Sequence, residues 1–86
     1  MRREADFFGN QELVLVYVAR RLKEARALEK VFDAAGLEYL VDPAPYQSGI
    51  LFRAHRIGAF FYVAPELEGR TRTVLLEHGF KAYIEP

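Results

Sequence analysis

Arg20, Arg21 and Lys23 stand together where the apolar run Leu13–Val18 gives way to a helical pattern, and that placement is chemically unusual. The N-terminus of a helix carries partial positive charge from its unpaired amides, so each cation there is unfavourable by about 0.3–1 kcal/mol. The chain's other helical segment opens in the ordinary way, with Pro65 followed by the acids Glu66 and Glu68. An anion held by the first-turn amides and the guanidinium groups accounts for the difference, because these donors together make a phosphate or carboxylate site. Arg53, His55 and Arg56 supply further positive charge, with Tyr46 a short way upstream. The bland alternative is a solvated surface on which Arg20 and Glu24 form an i,i+4 pair.

Little else in the sequence carries chemistry. Ser48 is the single serine, cysteine is absent, and His55 and His78 have no carboxylate motif beside them. Neither a nucleophile with its base nor a set of metal ligands at the usual spacing is visible. There is no glycine-rich phosphate loop either. The sequence therefore predicts no enzyme, no bound metal and no cofactor. Lack of cysteine also removes any disulfide framework and makes a cytoplasmic location the default expectation. Twelve basic residues balance twelve acidic ones, so the molecule exerts no long-range pull on polyanions. No apolar run approaches the length of a membrane span.

The elements that must position these side chains follow from periodicity. With 86 residues, 51% of them hydrophobic and 14% aromatic, the chain has enough apolar material for one small core. Residues 1–11 read as a flexible arm and residues 12–86 as the domain. The unbroken run Leu13–Val18 predicts a first strand buried on both faces. Leu22, Ala25, Leu28, Phe32 and Ala35 form one stripe of a helix that ends at Gly36, with Leu37 as the apolar contact of the cap. A second strand is expected over Leu37–Val41, stopped by Asp42-Pro43-Ala44-Pro45. Tyr46–Gly58 reads as a long connection, with an extra short strand expected over 50–54. Ala59–Val63 predicts a third strand, and a second helix runs from Pro65 to the cap at Gly79. In that helix Leu67, Thr71, Val74, Leu75 and His78 are expected to face inward. Phe80–Ile84 reads as the last strand.

The helix-glycine-strand unit occurs twice: Val31-Phe32 before Gly36-Leu37 corresponds to Val74-Leu75 before Gly79-Phe80. Two such units in the order βαββαβ predict an α+β, ferredoxin-like sandwich, a four-stranded antiparallel sheet with both helices on one face. The first and third strands are expected at the centre. The second and fourth carry Glu38, Lys81 and Glu85, charges that suit edges. In this topology the first helix begins at the end of the sheet where the second strand leads into the third, which gathers Arg20, Arg21, Tyr46, Arg53, His55 and Arg56 into one expected ligand site. The other face of the sheet is left without helices, so a homodimer through Tyr17 and Phe61 is expected to cover it. Self-cover by Phe7, Phe8 and Ile50-Leu51-Phe52 is the alternative.

The residues Leu22, Glu24-Ala25, Leu28, Phe32, Ala35-Gly36-Leu37 and Val63-Ala64-Pro65-Glu66 resemble the small ferredoxin-like prokaryotic signal-transducing domains, relatives in shape of the PII nitrogen regulators. The resemblance implies a bacterial regulatory domain that binds a small ligand or a partner protein. A second resemblance, from Val16-Tyr17-Val18 and Gly58-Ala59-Phe60-Phe61-Tyr62, is to RNA-recognition motifs, whose central strands stack bases on aromatic rings. Arg20-Arg21 stand where those motifs have Asn-Leu, and the neutral charge disfavours nucleic acid.

Overall fold

The computed structural model of the chain describes residues 1–48 and 54–81, and for residues 46–48 and 54–56 the backbone alone. Its elements are strand β1 (Val14–Ala19), helix α1 (Leu22–Ala34), strands β2 (Leu40–Ser48) and β3 (Ala54–Val63), and helix α2 (Glu68–Glu77). Short 3-10 turns lie at Ala5–Phe8 and Pro65–Leu67. The strands form one antiparallel sheet in the order β1-β3-β2. Among the described residues this is an α+β fold of two helices and three strands, and its order is compatible with βαββαβ. Most of the last expected strand, and the extra strand expected over 50–54 up to Ala54, lie outside the described residues. Among those residues β3 is the central strand and β1 pairs with β3 alone.

Both helices pack on one face of the sheet. Ala25, Leu28 and Phe32 of α1 and Val74 and Leu75 of α2 join Val16, Phe61 and Val63 in a single core. Phe32, Tyr39 and Phe61, from three different segments, meet at ring-centroid distances of 5.3, 5.8 and 5.9 Å. Such edge-to-face and offset contacts each add about 0.5–1.5 kcal/mol to the burial of the rings. Leu22, expected in the stripe, is the first residue of α1 and is 67% exposed. His78, expected to face inward, is exposed in the cap that follows α2.

The helix ends match the sequence reading closely. Gly36 and Gly79 have φ of +71° and +78°. Leu37 N–H donates to the Phe32 carbonyl and Phe80 N–H to that of Leu75, while the two glycine amides reach Asp33 and Leu76. Each helix thus ends in the same double-hydrogen-bonded left-handed cap.

The second strand differs most from expectation. It starts at Leu40 and runs through both prolines to Ser48, pairing with β3 from Leu40↔Tyr62 to Ser48↔Ala54. What reads as a long connection is therefore largely the two arms of a hairpin. The reason lies in backbone parity. Tyr39 turns its N–H and C=O to the outer edge, where they bond Met1 carbonyl and Arg3 amide. Residues 43 and 45 share that parity, so the donors that Pro43 and Pro45 lack are ones the ladder with β3 never uses. Prolines on that edge also discourage further pairing.

Met1–Arg3, in the segment expected to be an arm, bond at this edge: besides the Tyr39 bonds, Arg3 Nε lies 2.6 Å from Glu38 Oε2. Farther along, Gln11 Nε2 lies 2.9 Å from Glu66 Oε2, beyond β3. The Arg3 guanidinium holds the Glu38 carboxyl below its ordinary value through that hydrogen bond.

A register shift between Leu15 and Tyr17 makes Val16 the extra residue of a β-bulge. Val16 is fully buried in the core, and Tyr17 also packs against it. The bulge thus turns two consecutive side chains to the helix side, where simple alternation predicts one. Tyr17 and Phe61 were expected on the helix-free face. Instead Tyr17 contacts Phe80, and Phe61 lies with no exposure between Phe32 and Tyr39. A homodimer through Tyr17 and Phe61 has no such surface to use. The helix-free face carries Leu15, Val18, Phe60 and Tyr62, by their register opposite one another.

The caps give a stability test. At Gly36 and Gly79 an added Cβ meets nothing within 4 Å, so replacement by alanine costs only the left-handed backbone conformation. Gly36→Ala and Gly79→Ala are each expected to lower stability by about 1 kcal/mol. Gly69→Ala, inside α2 and equally unobstructed, should raise it by up to about 1 kcal/mol. Urea unfolding midpoints at constant slope measure all three.

Candidate functional site

The β2–β3 hairpin extends past the start of α1, and the uncovered part of its helix-side surface forms the floor of a groove. Ala19 ends β1 at one side, with Val41, Pro43, Ile57 and Ala59 from the hairpin beneath. Their registers, Ala19↔Ala59 and Pro43↔Ala59, put them on one face of the sheet. Arg20, Arg21 and Leu22 enter at the start of α1, and Arg2 enters from the N-terminal segment bridged to Tyr39. The groove has a volume of about 300 Å³. Arg20 and Arg21 of the expected site are therefore brought together on it.

The remaining expected residues have a different standing. The backbones of Tyr46 and Arg56 oppose each other in the hairpin, and His55 opposes Gln47. These pairs follow directly on Pro45↔Ile57, at the groove's outer end. Arg53 lies outside the described residues. Arg2 was not anticipated. Its signal is the pair Arg2-Arg3, legible as basic residues but without any periodicity that would dock them, because their anchor is a backbone bridge to Tyr39.

Charge at the start of α1 is more balanced than the sequence suggests. Arg21 occupies the N-cap position and provides no side-chain cap. Glu24, three residues into the helix, accepts a hydrogen bond from the Arg20 amide at 3.1 Å and another from the Tyr17 hydroxyl at 3.1 Å. One carboxylate thereby joins β1 to the first turn of α1, where the dipole favours an acid. Glu29 is the acid of the groove. It lies 3.7 Å from the Arg2 guanidinium and accepts from the Tyr39 hydroxyl at 3.4 Å. That hydroxyl has a single proton and lies nearer to Asp33, at 3.0 Å. Burial first, and the two carboxylates second, push the Tyr39 phenol well above its ordinary value.

No family model, curated protein or solved structure matches the chain. The groove's own chemistry has to carry the functional argument.

A second hollow, about 460 Å³, lies between the start of β1 and the start of α2, lined by Leu13, Leu15, Pro65 and Glu68 among others. It is larger, but its lining holds two acids, Glu12 and Glu68, and one base, Arg72, whose Nη2 lies 2.9 Å from Glu68 Oε2 one turn away. The smaller groove gathers three guanidinium groups against one carboxylate. Among the described residues no group of three or more His, Cys, Asp or Glu side chains is arranged to hold a metal ion. No helix of those residues is long and apolar enough to cross a membrane.

Tyr17 reports on the Glu24 junction. Burial, and then the hydrogen bond to Glu24, push its phenol up to about 12. The unfolded phenol titrates near 10. A group whose folded pKa is raised stabilises the fold fully below about pH 10, and this contribution disappears as pH rises through 12. Ultraviolet titration of the native protein should show a phenolate step near pH 12 that Tyr17→Phe removes and that Glu24→Gln moves toward 10.

Proposed function

We propose that this chain is a cytoplasmic, non-enzymatic regulatory or interaction domain that binds a small anionic ligand in the groove at the start of α1. The observation that carries the reading is the convergence of Arg2, Arg20 and Arg21, from two separate segments, on an apolar floor beside helix amides that lack a side-chain cap. Guanidinium groups and first-turn amides are complementary to carboxylate and phosphate oxygens. Tyr46, His55 and Arg56 follow on the same hairpin, so the ligand site expected from sequence extends along it in this proposal.

The reading keeps the four-stranded ferredoxin-like sandwich as its fold. The order β1-β3-β2 supports it, as does the contact of Phe80 with Tyr17, which brings the chain leaving α2 beside β1. It also keeps the likeness to the small signal-transducing domains, through the paired glycine caps. RNA binding has less behind it. A base-stacking platform draws aromatics from both central strands, and Tyr17 is turned to the helices, leaving Phe60 and Tyr62.

A thermal-shift series with phosphate, nucleotides and carboxylates tests the proposal. A ligand that binds only the folded state at about 100 times its dissociation constant stabilises by about 2.7 kcal/mol. For a domain of this size that is a rise in Tm of roughly 10 °C or more. The rise should shrink clearly in Arg21→Ala and be insensitive to added single-stranded RNA. A flat series across all anions contradicts the proposal.

A further inference from the structure

We propose that Met1–Arg3 is a strap that detaches and docks again beside the groove while the core stays folded, and that the docked state is the one that binds the anion. The second half rests on the anion-binding reading and adds a regulated step to that same site. Attachment of the segment is local. It meets the sheet in one parallel bridge, Arg2↔Tyr39, through two backbone hydrogen bonds. Arg3 N–H donates to the Tyr39 carbonyl at 2.7 Å, and Tyr39 N–H donates to the Met1 carbonyl at 3.2 Å. Among the described residues, none before Val14 belongs to the apolar core or to the half-buried side chains packed on it. Segments with few buried apolar contacts open at a small fraction of the cost of global unfolding.

Arg3 anchors the strap. Its guanidinium meets Glu38 twice, Nε to Oε2 at 2.6 Å and Nη2 to Oε1 at 3.3 Å, and lies 4.6 Å from the centre of the Phe7 ring. The two side chains of that ion pair are 37% and 34% exposed, so water competes for both and the anchor is releasable. Arg2 is the residue that reaches the groove, where it lies 3.7 Å from Glu29. Detachment takes that cation out of the groove and leaves Glu29, which also lines it, to repel an incoming anion. Docking restores the cation beside the acid. By linkage, an anion held in the groove keeps the strap docked by the same factor by which docking improves its affinity.

Native-state amide hydrogen exchange on the full chain, with and without inorganic phosphate or acetate at fixed ionic strength, tests both halves. The amides of Arg3 and Tyr39 donate the two bonds of the bridge, whereas the Leu37 amide donates to Phe32 in the cap of α1. Protection at Arg3 and Tyr39 should be roughly 100-fold or more below that at Leu37, the signature of local opening. Glu38→Gln should lower it by a further factor of about two to five and leave Leu37 unchanged. Either anion should raise protection at Arg3 and Tyr39 in the wild type and fail to do so in Arg2→Ala, whose backbone bridge is intact. Arg3 and Tyr39 amides protected as strongly as Leu37 would overturn the strap. Anions that shift the Arg21 and Leu22 resonances without changing protection at Arg3 and Tyr39 would overturn the coupling and leave the anion site standing. Anions that move no resonance would overturn the anion-binding reading and the coupling together, while the comparison with Leu37 alone decides whether the strap detaches.

Discussion

The aromatic contact of Phe61 with Phe32 and Tyr39 is the constraint from which the rest of the structure follows. Phe61 lies on the central strand, Phe32 near the end of α1, and Tyr39 just before β2. Locking these three rings together fixes both the height and the direction of α1 over the sheet. From Phe32 back to Leu22 the helix runs ten residues, about 15 Å at its rise per residue. At that end Leu22 and Ala25 share a groove with Ala19, Ala59 and the outer hairpin residues Pro43 and Ile57. The groove is the consequence: a sheet longer than the helix that lies on it. The Tyr39 hydroxyl, reaching Asp33 and Glu29, ties the same helix down on its outer flank.

The β-bulge at Val16 has an equally local cause and an equally wide effect. Without the extra residue Tyr17 would point away from the helices, and Glu24 would have lost one of its two partners. With it, the phenol bridges β1 to the first turn of α1. The strand that leads into the groove and the helix that walls it are thereby held by one carboxylate. The arginines next to it face an arrangement that is already set before any ligand arrives, which is the condition under which charged side chains bind with the least loss of conformational freedom.

Features that depend on local backbone chemistry were legible in the sequence. Gly36 and Gly79, each followed by an apolar residue, gave away both helix ends, and continuous apolar runs gave away β1 and β3. Features that depend on a partner elsewhere were not. Pro43 and Pro45 looked like the end of a strand because the sequence does not say which edge their missing donors face. Tyr17 was assigned the wrong face because a bulge cannot be seen in a run of consecutive apolar residues. Leu22 fitted the helical stripe but is exposed at the first position of α1, where it borders the groove. Arg20 and Arg21 stand out in the sequence by their poor fit to the helix dipole, while nothing in the sequence marks Arg2, which only a backbone bridge brings to the groove.

Taken together, the chain presents a rigid aromatic core whose geometry leaves a small, arginine-rimmed, apolar groove at one end. Amide chemical shifts during titrations with acetate and inorganic phosphate test that claim most directly. The account predicts that the largest changes fall at Arg21, Leu22, Gly58 and Ala59, around the groove. Changes centred on Leu13, Leu15 and Glu68 at the other hollow, or no localised changes at all, would contradict it.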